Sequence, residues 1–276
     1  MIKIKNIFSL LFIGVVVMYS CDDDIIGNVN PFANVDYEEL AKTENDSILK
    51  FLKTHYYKAN SDFELDSFEF ITNDGQTSLF DDGKLKDTII TRNNIAYTLY
   101  TYVHEQGSPN AGNDKGFPST IDSLFVNYTR NSLINNSLSV SFLPNSNSLD
   151  IKEQFWLPNT IIGFAAAATH FKGGNNETNN GPITYTNTGK GYFFIPSGLA
   201  YPSINFQFGF EDPNGRPYDQ TLIFKFELLD IVQNTDHDND GKPSINEDTN
   251  GDKDPTNDFS DKTNPNVPDF LNPNVN

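Results

Sequence analysis

Two stretches decide the fold: Gly191-Tyr192-Phe193-Phe194-Ile195-Pro196-Ser197-Gly198-Leu199-Ala200-Tyr201 and Gln220-Thr221-Leu222-Ile223-Phe224-Lys225-Phe226-Glu227-Leu228-Leu229-Asp230-Ile231-Val232. In the second, Phe224, Phe226 and Leu228 alternate with Lys225 and Glu227, the period of two expected of a strand with one buried face. In the first, Pro196 removes a ladder donor and, with Gly198, ends a strand in a turn that carries Leu199, Ala200 and Tyr201. Working back along the chain, Phe125-Val126-Asn127-Tyr128-Thr129 predicts another strand. The alanine-rich run 165–171 predicts one short helix, closed by Lys172-Gly173-Gly174. Strands starting near Phe125, Phe193 and Leu222 each have one side to bury, and this helix alone is available downstream to cover them. The expectation is an α+β domain whose curved antiparallel sheet packs one face on residues 165–171.

Upstream of that domain, Asp36 and Glu39 have the spacing of a capping box. Ile48, Leu49, Phe51, Leu52 and Tyr56 then recur at helical period, predicting an N-terminal helix over about 46–57 with His55 beside its apolar face. Phe68-Glu69-Phe70-Ile71-Thr72, closed by Asn73-Asp74-Gly75, reads as strand and turn. Residues 88–91 and 96–103 continue as strands, and 104–118 reads as loop. His104 and Glu105 are adjacent in that loop, but nothing nearby supplies a nucleophile or a third ligand. Segments 175–190 and 202–219 read as inserted loops.

The whole chain of 276 residues carries a net charge of −18, which disfavours nucleic acid as a partner, because phosphate binding needs a basic face. Aromatic residues make up 13 %, with 23 Phe, 12 Tyr and a single Trp, so the chain has the material for a packed core. The one cysteine excludes an intramolecular disulfide. Its position is informative. Lys3 and Lys5, an apolar run from Ile7 to Met18 and then Tyr19-Ser20-Cys21 predict a signal peptide over 1–20. The apolar run is too short to span ~30 Å of hydrocarbon. A small residue before cysteine resembles a bacterial lipobox, making Cys21 the expected lipidation site; a cleaved leader with an incidental cysteine is the alternative. Residues 21–35 read as a tether. Asp22-Asp23-Asp24 resembles an acidic surface-export signal or is a solvated spacer. The expected location is the cell envelope, with the protein held to the outer membrane by a lipid on its periplasmic or surface side.

The wording of the two deciding stretches is more specific than their period. Ile195-Pro196-Ser197, Leu199-Ala200-Tyr201 and then Thr221-Leu222-Ile223-Phe224 with Glu227-Leu228-Leu229 resemble the closing half of an FKBP-type peptidyl-prolyl cis-trans isomerase. Phe155-Trp156-Leu157-Pro158-Asn159-Thr160-Ile161-Ile162-Gly163-Phe164 is similar to that family's strand-to-helix passage, and Phe125 to Thr129 to one of its strands. The resemblance covers roughly 85–232, leaving 36–84 as an N-terminal helix-and-strand extension and 233–276 as a tail. It implies a sheet around one short helix, no cofactor for catalysis, and proline-containing polypeptides as substrates. It also implies a pocket built from Tyr128, Phe155, Ile161, Phe164, Tyr201 and Phe224, in which Tyr201 offers its hydroxyl and Ile161 its backbone N–H. Phe164 stands where the family usually has tryptophan. Two departures are visible: 130–142 contains no aspartate where the family has a pocket carboxylate, and Pro202 follows Tyr201 where the family has glycine. An envelope isomerase assisting exported proteins is therefore the leading expectation. A non-catalytic binding module of the same fold and a structural surface lipoprotein are its alternatives.

The tail has its own signature. Ten acidic residues face three lysines in 233–276, with few large apolar side chains, so an irregular acidic segment is expected. Within it Asp236, Asp238 and Asp240 occupy positions one, three and five of a calcium loop, with Gly241 at six, the Lys242 carbonyl at seven and Glu247 at twelve. Asp248, Asn250, Asp252 and Asp254 continue in a manner similar to thrombospondin type 3 calcium repeats. Calcium is the expected ion, and Pro243 and the missing flanking helices limit the match to the loop.

Overall fold

The structure, a computed structural model, describes residues 34–63, 66–134, 137–138, 152–177, 181–205, 216–251 and 254–275, with the backbone alone of 137, 138, 152, 153 and 155. The signal-peptide segment, most of the tether, Cys21 and the aspartate-free stretch around Val140-Ser141-Phe142 lie outside the described residues. Val35–Phe206 and Asp212–Asn276 form one compact unit. Among the described residues no helix is long and apolar enough to cross a membrane.

Helix α1 spans Tyr37–Thr54 and begins nine residues earlier than the apolar periodicity suggests. Its start is set by the Asp36 side chain, which accepts the Glu38 and Glu39 N–H groups at 3.1 Å each. The first two turns carry only Leu40 and Ala41 as aliphatic residues, so an apolar pattern sees only the second half. The helix stops at His55, whose backbone turns extended, and strand β1 (His55–Lys58) pairs with β2 (Ser67–Phe70). His55 is buried in packing: its ring stacks on Phe51 at 4.0 Å and its Nδ1 lies 3.0 Å from the Phe51 carbonyl. Asp36→Ala is expected to cost about 1 kcal/mol, the usual worth of an N-cap side chain, read as a lower melting temperature with an unchanged fold.

Next come β3 (Leu85–Arg92) and β4 (Ile95–Glu105), a hairpin whose two turn residues, Asn93 and Asn94, have φ of 53° and 63°. Such left-handed pairs match the twist of the flanking strands, and asparagine tolerates them. His104 and Glu105 are thus the last residues of a strand rather than loop. Burial holds the His104 imidazole below its ordinary value, Lys84 adds to that, and the ring packs on Tyr57 at 4.6 Å. Strand β5 (Ser123–Ile134) runs twelve residues; β6 (Ser137–Leu138) and β7 (Lys152–Trp156) both pair with it. A short 3₁₀ turn, Leu157–Asn159, leads to helix α2 (Ile162–Ala168). That helix is seven residues and starts three earlier than the alanine run, because the Ile161 carbonyl already accepts the Phe164 and Ala165 amides at 3.0 and 3.2 Å. The segment expected as plain loop after it holds a small hairpin, β8 (Asn175–Glu177) with β9 (Thr184–Thr186). Strands β10 (Gly189–Ile195) and β11 (Leu222–Val232) complete the main sheet.

The main sheet is antiparallel in the order β3-β4-β10-β11-β5-β6, with β7 on the side of β5. Both faces of its centre are buried. Leu99, Leu124, Val126, Phe193, Ile195, Phe224 and Phe226 meet α2 on one side; Tyr100, Tyr102, Tyr192, Phe194 and Ile223 meet Ile48, Phe51 and Leu52 of α1 on the other. The expectation of a single buried face therefore needs correction. The run Tyr192-Phe193-Phe194-Ile195 is apolar without alternation, as a strand covered on both sides should be. Helix α2 lies close on β10 because Gly163 leaves room: a Cβ there would sit 2.3 Å from Ile195 Cγ2.

Candidate peptide pocket

An open cavity of about 750 Å³ lies beside α2, on the side of the sheet that carries Phe224. It is built by convergence of four elements. Strand β5 sends Tyr128 and, two residues on and so on the same side, Arg130. The passage from β7 into α2 brings Trp156, Ile161 and Phe164. The turn after β10 brings Ala200 and Tyr201, and β11 brings Phe224. Phe164 is the floor. It is 3 % exposed and meets Phe193 and Phe224 edge-on at 5.3 Å and Phe226 at 5.5 Å, with Tyr128 edge-on at 6.2 Å. These contacts make one aromatic wall whose inner half is core and whose outer half is cavity.

The five-residue turn that ends in Tyr201 is fixed from two sides. Arg92 donates to the Gly198 carbonyl at 2.9 Å. From α1, the buried Glu44 carboxylate accepts the Ser197 N–H at 3.2 and 3.1 Å, the Ser197 hydroxyl at 2.9 Å and the Thr221 hydroxyl at 3.1 Å. Burial outweighs those hydrogen bonds and pushes the Glu44 carboxyl up to about 7. Two guanidinium groups lie within cation–π reach of the Tyr201 ring, Arg130 at 6.0 Å and Arg216 at 5.8 Å. Among the described residues the Tyr201 hydroxyl and the Ile161 N–H make no hydrogen bond, so both remain donors for a guest. The cavity is open and its lining mixed: Trp156, 50 % exposed, stands with Gln154, Asn159 and Asn205. No carboxylate lines the cavity among the described residues.

Tyr128, Ile161, Phe164, Tyr201 and Phe224 thus come together in one cavity. The Phe155 side chain lies outside the described residues; its backbone pairs with Leu124. Sequence reasoning missed Arg130, Trp156 and Arg216 as lining, and Glu44 as the group that holds the turn. Arg130 was accessible from the two-residue period after Tyr128. Arg216 sits in what reads as inserted loop, and Glu44 on the part of α1 that the apolar periodicity does not reach; neither leaves a local signal.

A second group forms in the tail, which runs through short 3₁₀ turns at Ser244–Glu247, Pro255–Asn257 and Asp269–Leu271. One carboxylate oxygen from each of Asp236, Asp238 and Asp240 lies within 4.8 Å of the others. Glu247 is 1 % exposed, and burial together with Asp238 and Asp240 pushes its carboxyl up to about 7. The tail is less free of core than its composition implies, since Phe270, Asp258 and Asp269 are buried in it.

No protein-family model and no curated protein matches the chain. Solved structures do show likeness. FkpA from Escherichia coli is 25 % identical over 52 % of this chain and 52 % of its own, with a TM-score of 0.33. A peptidyl-prolyl cis-trans isomerase from Pseudomonas syringae pv. tomato is 14 % identical over 72 % of this chain and 98 % of its own, with a TM-score of 0.38. The three FKBP domains of wheat FKBP73 align at 16 % identity over 53 % of this chain and 51 % of that one, at 0.33. The chain spans about half the length of the Escherichia coli and wheat proteins. The fold is α+β, one main sheet with few helices, and FKBP-type structures are among its neighbours.

Proposed function

We propose that the chain is an FKBP-like peptidyl-prolyl cis-trans isomerase of the cell envelope, lipid-anchored through Cys21 at the outer membrane and acting on proline-containing segments of exported proteins. The observation that carries this reading is the aromatic cavity over Phe164 with two donors at its edge, the Tyr201 hydroxyl and the Ile161 N–H, that are unengaged among the described residues. Rotation about an X-Pro bond meets a barrier of roughly 18–20 kcal/mol, set by amide resonance. An apolar cavity that takes the proline ring and strips water from its amide favours the twisted state, in which that resonance is lost. Tyr201 and Ile161 hold the flanking carbonyls while the bond turns. No nucleophile, proton relay or cofactor enters the reaction; a cation in the tail would be structural.

A second reading, a binding module of the same fold without turnover, draws on one observation. Two arginines stand at the cavity and no carboxylate does, among the described residues. Both readings share the occupant, and titration with a proline-containing peptide tests that occupant. Tyr201→Phe is expected to leave the melting temperature within a degree or two and to weaken the peptide by about 0.5–1.5 kcal/mol, one neutral hydrogen bond. A variant that melts far below the wild type would make Tyr201 a core residue instead, and unchanged peptide affinity would remove its hydroxyl from the site.

A further inference from the structure

We infer that Asp236, Asp238, Asp240 and Glu247 bind one calcium ion, and that filling this site seats the tail against Trp156 at the mouth of the pocket. The acidic cluster alone would not carry this; Glu247 does. Glu247 is 1 % exposed, and among the described residues neither Oε1 nor Oε2 has a hydrogen-bond partner. The charges that act on it most are those of Asp238 and Asp240, ahead of Lys242 and Asp236. Asp238 Oδ2 and Asp240 Oδ2 are also buried without partners, while the second oxygen of each accepts a loop amide: Asp240 N at 3.1 Å and Lys242 N at 2.7 Å. Asp236 differs in giving both oxygens to the loop, Oδ1 accepting the Asn239 amide at 2.7 Å and Oδ2 the Gly241 amide at 2.9 Å. One oxygen of Asp238 and one of Asp240 thus fix the loop; the other oxygen of each, like both oxygens of the buried Glu247, has no hydrogen-bond donor among the described residues. Buried carboxylates left so are costly unless a cation takes the place of the missing donors. An all-oxygen set of this size, with a flexible loop, suits calcium better than the smaller magnesium ion, which demands a strict octahedron.

The link to the pocket runs through His237. Its N–H and Nδ1 lie 3.1 and 2.8 Å from the Ser244 hydroxyl, inside the same loop. Its ring stands edge-on to Trp156 at 5.1 Å and to Phe270 at 5.4 Å. Thr235 ties the start of the loop back, accepting from Ser244 N at 2.9 Å. A cation that locks the loop therefore locks the ring that Trp156 leans on. The seating of Trp156 as a pocket wall rests on the peptide-pocket reading; the cation site does not.

Trp156 is the single tryptophan of the chain, so intrinsic fluorescence reports on it alone. Calcium chloride titrated into the chelator-stripped full chain, at constant ionic strength, is expected to give a saturable emission change with a midpoint on the order of 10⁻⁴–10⁻³ M. Calorimetry on the same samples should give the same midpoint. Asp238→Asn with Asp240→Asn should abolish both signals, and Glu247→Gln should raise the midpoint at least tenfold; circular dichroism checks that each variant keeps its fold. Absence of saturable heat in the wild type, or an undiminished response in both variants, overturns the site. An equal response to magnesium overturns the calcium assignment. Heat of binding without any change in Trp156 emission overturns the link to the pocket and leaves the ion site standing.

Discussion

Replacing Phe164 by alanine is expected to cost about 3–5 kcal/mol of folding stability and to eliminate peptide binding, the largest effect of any single substitution at the pocket. Phe164 belongs to both the core and the cavity, and it is the most buried of the aromatic residues that do. Its ring has four aromatic neighbours among the described residues, and its loss leaves a void that α2, held close to β10 at Gly163, has little freedom to close. Equilibrium denaturation gives the stability, and peptide titration below the variant's melting temperature gives the binding. A loss under 1 kcal/mol would mean that Phe164 is a surface wall and that the cavity does not share the core.

The second large effect is one of pH. The Glu44 carboxyl is raised in the folded protein from its ordinary 4.5 to about 7, burial being the main cause. Between those two values the native state holds a proton that the unfolded chain has released. The contribution of Glu44 to stability is therefore complete below about pH 4.5 and is lost as pH rises to and through about 7. A rise of this size corresponds to roughly 3 kcal/mol. Glu44→Gln keeps an acceptor for the Ser197 N–H but has no charge to bury. Relative to that variant, wild type should lose roughly 3 kcal/mol on going from pH 4 to pH 8, read from urea midpoints at several pH values. Parallel curves for the two proteins would show that Glu44 stays charged and hydrogen-bonded at no cost.

Much of the sheet was legible in the chain because its signals are local. The alternation of Phe224, Phe226 and Leu228 gives the buried side of β11, and Asp36 marks the start of α1. What was not legible depends on partners far apart in sequence. Glu44 is polar and sits in a helix, so it reads as solvent-facing; it is buried because Ser197 and Thr221, more than 150 residues away, supply its hydrogen bonds. The second buried face of β10 is likewise a matter of where α1 lands. Within the pocket, the aromatic residues follow from motif wording, whereas Arg216 reaches Tyr201 only through the path of a long connection. In the tail the spacing of the aspartates is visible in sequence, but the burial of Glu247 is not.

The most direct test of the central claim is a protease-coupled isomerisation assay on the full chain with a proline-containing peptide, run beside Tyr201→Phe and beside a circular-dichroism check that the domain is folded. The proposal predicts a first-order acceleration over the uncatalysed rate that is proportional to protein concentration and reduced in Tyr201→Phe. A folded wild-type protein that leaves the uncatalysed rate unchanged while still binding the peptide would contradict the isomerase and leave the binding module in its place.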